Sequence, residues 1–528
     1  MVQVKLYDTT LRDGAQSEGI SFSVVDKLHI ARKLDEMGIH YIEGGWPGSN
    51  PKDAEFYEHI RELKLKNAQI AVFGSTRRVG KKAEEDIFLT TLVKSGARIA
   101  TIVGKGSDLQ VLNVLKTTLE ENLKMLADSI RYLKSKGLTV FWDVEHFFDG
   151  FKHNQDYSIK TLEVAAEAGV DCLVLCDTNG GALPDEVTKA VKKAAKATNV
   201  PMGIHCHNDG GLAVANTLAA VAVGVTQVQG TINGLGERCG NADLCTIIPA
   251  LKLKMGINCI SDEQLASLTE VAHYVSELAN LAPDPFAPYV GTSAFSHKAG
   301  YHMDGIIKWP DAYQHIDPSR VGNRQRTVIS DQSGKDNIIT KAKELGIDLS
   351  SAEKEVKGLI DRVKQLESRG FQYDNAEASF ELLLYRAKPD YKPPFELVDF
   401  MVVVESRRRP STRKAEDEML SEAIIKVKVG GKIIHEAAEG DGPVNALDMA
   451  LRKALLQFYP SLEKVKLVDY KVRILEESTG TESQVRVLIE SSDGESEWRT
   501  VGGSTNIIEA SWLALADGLE WWLAKQTT

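Results

Sequence analysis

His205 and His207 stand two residues apart in HCHND (205–209), a spacing that puts both imidazoles on one face of an extended strand and turns Cys206 the other way. Two imidazoles on one face can share a cation. They can equally be a pair of packed or hydrogen-bonded core histidines. A cation needs further ligands, and Asp13, in TTLRDG, is the best candidate for a third, although an Asp in such a stretch commonly serves a turn or a cap. Asn241, in GLGERCGNAD (234–243), is a candidate fourth. Oxygen and imidazole donors without a thiolate point to a divalent ion such as Mg, Mn or Zn. Arg12, beside Asp13, could hold a carboxylate or polarise a carbonyl, or form a surface ion pair. Glu145 ends an otherwise apolar run, where burial would raise its pKa and suit it to acid–base work. His302 and Asp304, in GYHMDG, offer a second acid–base set or simply a solvated linker. Cys239 lacks an obvious base partner and reads more readily as an inert small residue than as a nucleophile.

These residues need elements to bring them together. Eight short apolar, β-branched runs are spread over the first 270 or so residues: 4–8, 40–45, 69–74, 98–104, 139–145, 172–177, 202–207 and 226–231. Amphipathic helical stretches lie between them, such as VVDKLHIARKLDEMG, with Gly38 as its stop. Strand–helix alternation predicts a parallel sheet, and eight units in about 250 residues fit a (β/α)8 TIM barrel of α/β class. A doubly wound open sheet is the alternative, but the GxGxxG turn such folds often carry after strand one is absent. In a barrel the chemistry gathers at the C-terminal ends of the strands, and Asp8 to Asp13, Glu43, Glu145, Asp177-Thr178-Asn179, His205 and His207 all fall there. The expected divisions are a catalytic barrel over 1–272, mostly helical subdomains over 273–390 and a C-terminal α+β domain over 396–528, set off by the proline-rich AKPDYKPPF (387–395). Within the last, AIIKVKVGGKII followed by GDGPVNALDMALRKALLQF, and KLVDYKVRIL with SQVRVLIES followed by GGSTNIIEASWLALADGLEWW, suggest an internal two-fold repeat of about 60 residues.

Composition narrows the partners. The net charge of −11 leaves no basic footprint for nucleic acid, and Arg407-Arg408-Arg409 reads as a solvated loop. No apolar run reaches membrane-spanning length, and MVQVKLYDTTLRDG lacks the apolar core of a signal peptide. Six cysteines with no CxxC pair imply reduced thiols and a cytoplasmic protein.

YDTTLRDGAQS (7–17), LCDTNGG (175–181), HCHNDGGLAVAN (205–216) and NGLGERCGNAD (233–243) resemble the motifs of the homocitrate, isopropylmalate and citramalate synthase family. The resemblance spans nearly the whole chain; GDGPVNALDMALRKAL and GGSTNIIEASWLAL resemble that family's regulatory, dimer-forming domain. It implies a metal-dependent Claisen condensation of acetyl-CoA with a 2-oxo acid. It also implies metal ligands at Asp13, His205 and His207, with Asn241 completing the site directly or through water. Arg12 would bind the acceptor's oxo group and Thr178 its carboxylate, with Asp304 a further substrate contact. Glu145 would be the active-site glutamate, and His302, joined by Tyr313, a general base reaching in from the partner subunit of a homodimer. DVEHFFDGFKHN (143–154), GKGSDLQVLNVL (104–115) and TTLEENLKML (117–126) resemble the branch whose acceptor is pyruvate and whose product, (R)-citramalate, leads to isoleucine, with isoleucine itself as allosteric inhibitor. The alternatives are 2-oxoisovalerate as acceptor, a hydroxy-acyl-CoA lyase, and an amino-acid sensor built on an inactive barrel.

Overall fold

A computed structural model of the chain describes residues 3–297, 300–327, 335–344, 346, 353–373, 376–388, 391–405, 420–475 and 483–527. Arg407 to Arg409 and part of the proline-rich stretch lie outside the described residues.

Eight parallel strands close into a barrel in sequence order: β1 (Lys5–Asp8), β2 (Tyr41–Glu43), β3 (Gln69–Ser75), β4 (Ile99–Lys105), β5 (Thr139–Glu145), β6 (Cys172–Asp177), β7 (Met202–Cys206) and β8 (Gln227–Gly230). β8 pairs with both β7 and β1, so β1 and β7 flank a single strand. A helix follows each strand. The first, Val24–Glu36, is opened by a capping box between Ser23 and Asp26, and the chain leaves it through Gly38 at φ 87°, a left-handed conformation that suits glycine.

Period-two alternation divides every strand between two cores. Val140, Trp142 and Val144 of β5, Ile204 and Cys206 of β7 and Val228 of β8 belong to the large apolar layer beneath the helices. The opposite parity faces inward. Tyr7, Ala71, Ile99, Phe141, Cys172, Val174 and Cys176 fill the interior. Further along the same inward positions the residues turn polar yet stay buried: Glu43, Thr101, Asp143, His205 and Gln229. Buried polar groups are costly unless paired, so this upper layer must be a connected network.

The described residues divide into two compact units, Met1–Phe295 with His315–Gln325, and Ser296–Gln314 with Arg326–Thr528. In the second, β9 (Ser296–His297) pairs with β10 (Arg326–Thr327), and helices occupy Gly300–Lys308, Lys335–Glu344, Glu353–Glu367 and Glu377–Arg386. Where the sequence suggests a polar connector at 295–322, the segment contains a real helix, Gly300–Lys308, with Ile306 buried. Then come two copies of one motif. β11 (Glu396–Glu405), β12 (Leu420–Val429) and β13 (Lys432–Gly440) form an antiparallel sheet backed by helix Pro443–Leu456. β14 (Lys466–Ile474), β15 (Val485–Ser492) and β16 (Glu497–Ser504) repeat it, backed by helix Ile507–Thr527. In both copies a glycine lets the helix touch the last strand. A Cβ at Gly440 would lie 2.5 Å from the Ala446 nitrogen, and one at Gly502 would lie 1.9 Å from the Ala510 oxygen.

Candidate active site

The mouth of the barrel gathers Asp13, His205 and His207, with one donor atom of each inside 4.8 Å of the others and all three side chains buried. Asp13 Oδ2 lies 3.4 Å from His205 Nε2 and 4.0 Å from His207 Nε2. The two Nε2 atoms are 3.4 Å apart. His207 falls one residue past the end of β7, where the sequence places it within the strand. Its backbone nitrogen still donates to Asp177 of β6, but past the end of the β7–β8 pairing it forms an antiparallel bridge with Asn241. That bridge sets Asn241 beside the histidines, and both side-chain atoms of Asn241 are buried without a partner.

The donor set fits a divalent cation. Two imidazole nitrogens facing one another and one carboxylate oxygen converge on a common point, and a buried amide lacks any other satisfaction. Ligands held about 2.0–2.2 Å from an ion lie roughly 3 Å from each other, close to the spacing found. Asp13 and His207 are held in the deprotonated forms a cation needs, whereas His205 is not. Burial would raise Asp13, but Arg12 and the two histidines hold its carboxyl well below the usual carboxylate range. Burial and the neighbouring His205 push His207 down to about 4. Burial alone would lower His205 too, but Asp13 outweighs it and lifts His205 above its ordinary value.

Arg12 is fixed rather than a surface residue. Its Nε donates to Glu43 Oε2 at 2.6 Å, its Nη1 lies 3.2 Å from Asp13 Oδ2, and its guanidinium carbon sits 3.9 Å from the centre of the Phe73 ring. Glu43 is completely buried and also accepts from Tyr7 Oη at 2.8 Å and Thr9 Oγ1 at 2.9 Å. Thr178 Oγ1 accepts from the His146 backbone nitrogen at 2.8 Å. His146 has a left-handed backbone, φ 56°, which turns the chain sharply after β5. Glu145 corrects one expectation. It is not buried, for its side chain is 25% exposed and ion-paired with Lys105. It points inward by strand parity but stands at the rim, where solvent reaches it.

Asn208 and Asp209 acquire structural roles. Asn208 Oδ1 accepts from the Ala213 nitrogen at 3.2 Å, at the start of helix Ala213–Ala222. Asp209 pairs with Arg238 at 2.8 Å, and Arg238 also donates to the Thr178 carbonyl at 2.7 Å. These contacts tie together the loops after β6, β7 and β8. Cys206 is buried packing, and Cys239 is the one exposed cysteine among the six. His302, Asp304 and Tyr313 belong to the second unit. There the rings of His302 and Tyr313 stack with centroids 4.5 Å apart, and Asp304 pairs with Lys308 at 2.7 Å.

Three contributors to the site escape motif reading: Glu43 as Arg12's anchor, and Asp143 and Gln229. Gln229 Oε1 lies 3.0 Å from His205 Nδ1, and Gln229 Nε2 donates to Asp143 Oδ1 at 3.2 Å. Burial, then the charge of Glu43, pushes the Asp143 carboxyl well up. The available signal is parity, since Asp143 shares a face with Glu145, and Gln229 shares the inward face of its strand with Gln227.

Against known families, residues 3–275 match the HMGL-like model, 289–370 the homocitrate synthase post-HMGL domain-like model and 374–523 the LeuA allosteric (dimerisation) domain. The chain is 54% identical to the (R)-citramalate synthase of Geobacter sulfurreducens, over 99% of its own length and 98% of that protein's. The chain belongs to the (R)-citramalate synthase family. It is 50% identical to the (R)-citramalate synthase of Aquifex aeolicus, over 99% and 98% of the two lengths. A 2-isopropylmalate synthase of Methanocaldococcus jannaschii is more distant, at 32% identity over 99% and 95%. Membership brings an HMGL-like barrel and an allosteric domain of the LeuA type. Among the described residues no helix is long and apolar enough to cross a membrane.

Proposed function

We propose that this chain condenses acetyl-CoA with pyruvate and water, giving (R)-citramalate and CoA, as the entry to a pyruvate route to isoleucine. The observation that carries the reading is the buried convergence of Asp13, His205 and His207 beside Arg12 in a chain of this family. The acceptor follows from the pattern of identity. Five relatives at 48–54% are each (R)-citramalate synthases, whereas at 32% both citramalate and isopropylmalate synthases occur.

Asp13, His205, His207 and Asn241 would hold a divalent ion, Mg, Mn or Zn, which when bound supplies Lewis-acid polarisation of the acceptor ketone. Arg12, held in place by Glu43 and Phe73, sets positive charge where the ketone oxygen becomes an alkoxide, and needs no reorganisation to do so. The Thr178 hydroxyl accepts from the backbone, which leaves its proton to donate to the acceptor carboxylate. Glu145 and His302 are the two proposed bases for the methyl proton of acetyl-CoA. The resulting enolate attacks the ketone, and water hydrolyses the thioester. Tyr313, stacked on His302, and Asp304 are proposed participants from the family resemblance.

The C-terminal unit supports an effector role for isoleucine. A cavity between helix Pro443–Leu456 and β14 is lined by Val444, Leu456, Leu467, Tyr470 and Asp448. Asp448 Oδ1 is buried without a partner while Oδ2 accepts from Arg452 at 2.8 Å. An aliphatic wall with one unsatisfied carboxylate oxygen suits a ligand that carries both an ammonium group and a branched apolar side chain. A homodimer built through this domain is the proposed assembly, in the cytoplasm.

The experiment is thiol release from acetyl-CoA with a divalent ion and, in turn, pyruvate, 2-oxobutyrate and 2-oxoisovalerate. Pyruvate should give a kcat/KM at least about tenfold above 2-oxoisovalerate, since branching adds volume the pocket must exclude. Preference for 2-oxoisovalerate would assign the chain to isopropylmalate synthesis, and no release with any acceptor would overturn the synthase reading.

A further inference from the structure

Two buried chains of polar side chains converge on the candidate metal ligands from inside the barrel. One runs from Thr101 through Tyr7 and Glu43 to Arg12 and Asp13. The other is shorter: Asp143, Gln229, His205. All three of its members are at least 95% buried, and each lies on an inward strand position, Asp143 on β5, His205 on β7 and Gln229 on β8. β7 and β8 are paired with His205 opposite Gln229, so the imidazole and the amide are neighbours by register.

We infer that Gln229 is a positioning residue that, anchored by Asp143, fixes the ring tautomer of His205. A glutamine amide has a donating and an accepting end and can turn either toward an imidazole. Here the amide nitrogen of Gln229 is committed to Asp143, donating to its Oδ1 at 3.2 Å, and the carbonyl oxygen is left to face His205. The Nδ1 atom, 3.0 Å from that oxygen, must then carry the hydrogen. The Nε2 lone pair, on the side of Asp13 and His207, is thereby freed for a cation. The reversed amide would donate to Nδ1 and place the hydrogen on Nε2, blocking it as a ligand. Histidine ligands are commonly oriented in this way by a partner on their other nitrogen, and loss of such a partner typically weakens metal binding 10–100-fold. His207 has no such support, since its Nδ1 is buried without a partner. The device therefore acts on one histidine of the pair.

The inference rests on the reading of His205 as a ligand, and two readouts keep the two separable. The first is the 15N chemical shifts of His205 in the metal-free enzyme at about pH 9, well above the ordinary histidine pKa. The wild type should show the Nδ1–H form, Gln229→Met a mixture of tautomers, and Gln229→Glu, which still offers His205 an acceptor, the wild-type form. The second is Mn2+ affinity by calorimetry. Gln229→Met should bind about 10–100-fold more weakly, with Gln229→Glu within a few-fold of wild type. Asp143→Ala, which frees the amide to turn, should shift the tautomer in the same direction by less. Melting temperature and circular dichroism on each variant separate a folding defect from a positioning one. An unchanged tautomer and unchanged Mn2+ affinity in folded Gln229→Met would overturn the inference. A wild type that binds no Mn2+ yet shows the Nδ1–H form would instead count against the metal reading and leave the role of Gln229 standing.

Discussion

The barrel mouth and the C-terminal pair of β-sheet–helix motifs solve opposite problems. At the mouth, single polar residues from distant parts of the chain are brought within 5 Å by strand register, and nothing there is repeated: Asp13 and His205 are 192 positions apart in sequence yet 3.4 Å apart in space. In the C-terminal unit the same local pattern is used twice, and its defining contacts, Gly440 on Ala446 and Gly502 on Ala510, are close approaches to helix backbone a few residues apart. The first region concentrates charge that must be paired to stay buried, and the second concentrates shape. Substitutions in the two should therefore fail in different ways, one in turnover and the other in stability or effector response.

The largest effect belongs to the mouth. His207→Ala should lose bound metal and turnover together, with kcat/KM falling about 1,000-fold or more. Metal analysis and thiol release on the same sample check it, and full turnover in metal-depleted buffer would remove His207 from the site. Arg12→Gln should cost both turnover and about 3 kcal/mol of stability, because it leaves Glu43 and Asp13 buried without their cation. Denaturant unfolding of the barrel unit measures that loss. Gly502→Ala tests the other region. The added methyl has no room, so unfolding of the C-terminal unit should become easier by about 1–3 kcal/mol while effector-free kcat/KM stays within about twofold. A drop in turnover as large as the drop in stability would erase the contrast. Asp448→Asn should raise the isoleucine concentration needed for half-inhibition by about tenfold, with the uninhibited rate unchanged.

The smallest effect is a pH slope at the mouth. His205 sits above its ordinary pKa in the metal-free site because Asp13 favours its protonated form. A cation on Nε2 must displace that proton, so Mn2+ affinity should rise with pH through the histidine range and level off once the ring is neutral. Calorimetry in buffers of different ionisation enthalpy would report the released proton, and an affinity flat from acid to alkaline pH would contradict it.

The difference between the regions also explains what could be read in advance. All eight barrel strands are visible in the sequence, because inward and outward positions are both apolar for most of their length and give continuous runs. The HxH spacing and the Asp13 and Asn241 loops are local motifs and equally visible. Gln229 and Asp143 are not, because Asp143 is an isolated polar residue in an apolar strand, Gln229 is one of two glutamines in a short strand, and only the β7–β8 register brings Gln229 to His205. Glu145 misled for a related reason. An apolar strand implies burial along its length, but the last residue of a barrel strand stands at the rim and meets Lys105 and solvent. The C-terminal repeat was legible as two β-rich halves closed by helices, because alternation and Gly-rich turns are local. The first strand, β11, is less so, since its exposed residues, Leu397, Val398, Met401 and Val404, blur the alternation.

The cation proposed for Asp13, His205 and His207 and the proposed condensation of pyruvate belong to one site. The most direct measurement is a Mn2+ titration of chelator-treated enzyme with acetyl-CoA and pyruvate present, following CoA release and bound metal together. The account predicts no release before addition and a rise that saturates at one ion per chain. It also predicts that both signals disappear together in His205→Ala. Release that is full before any metal is added, or that persists in His205→Ala, would contradict it.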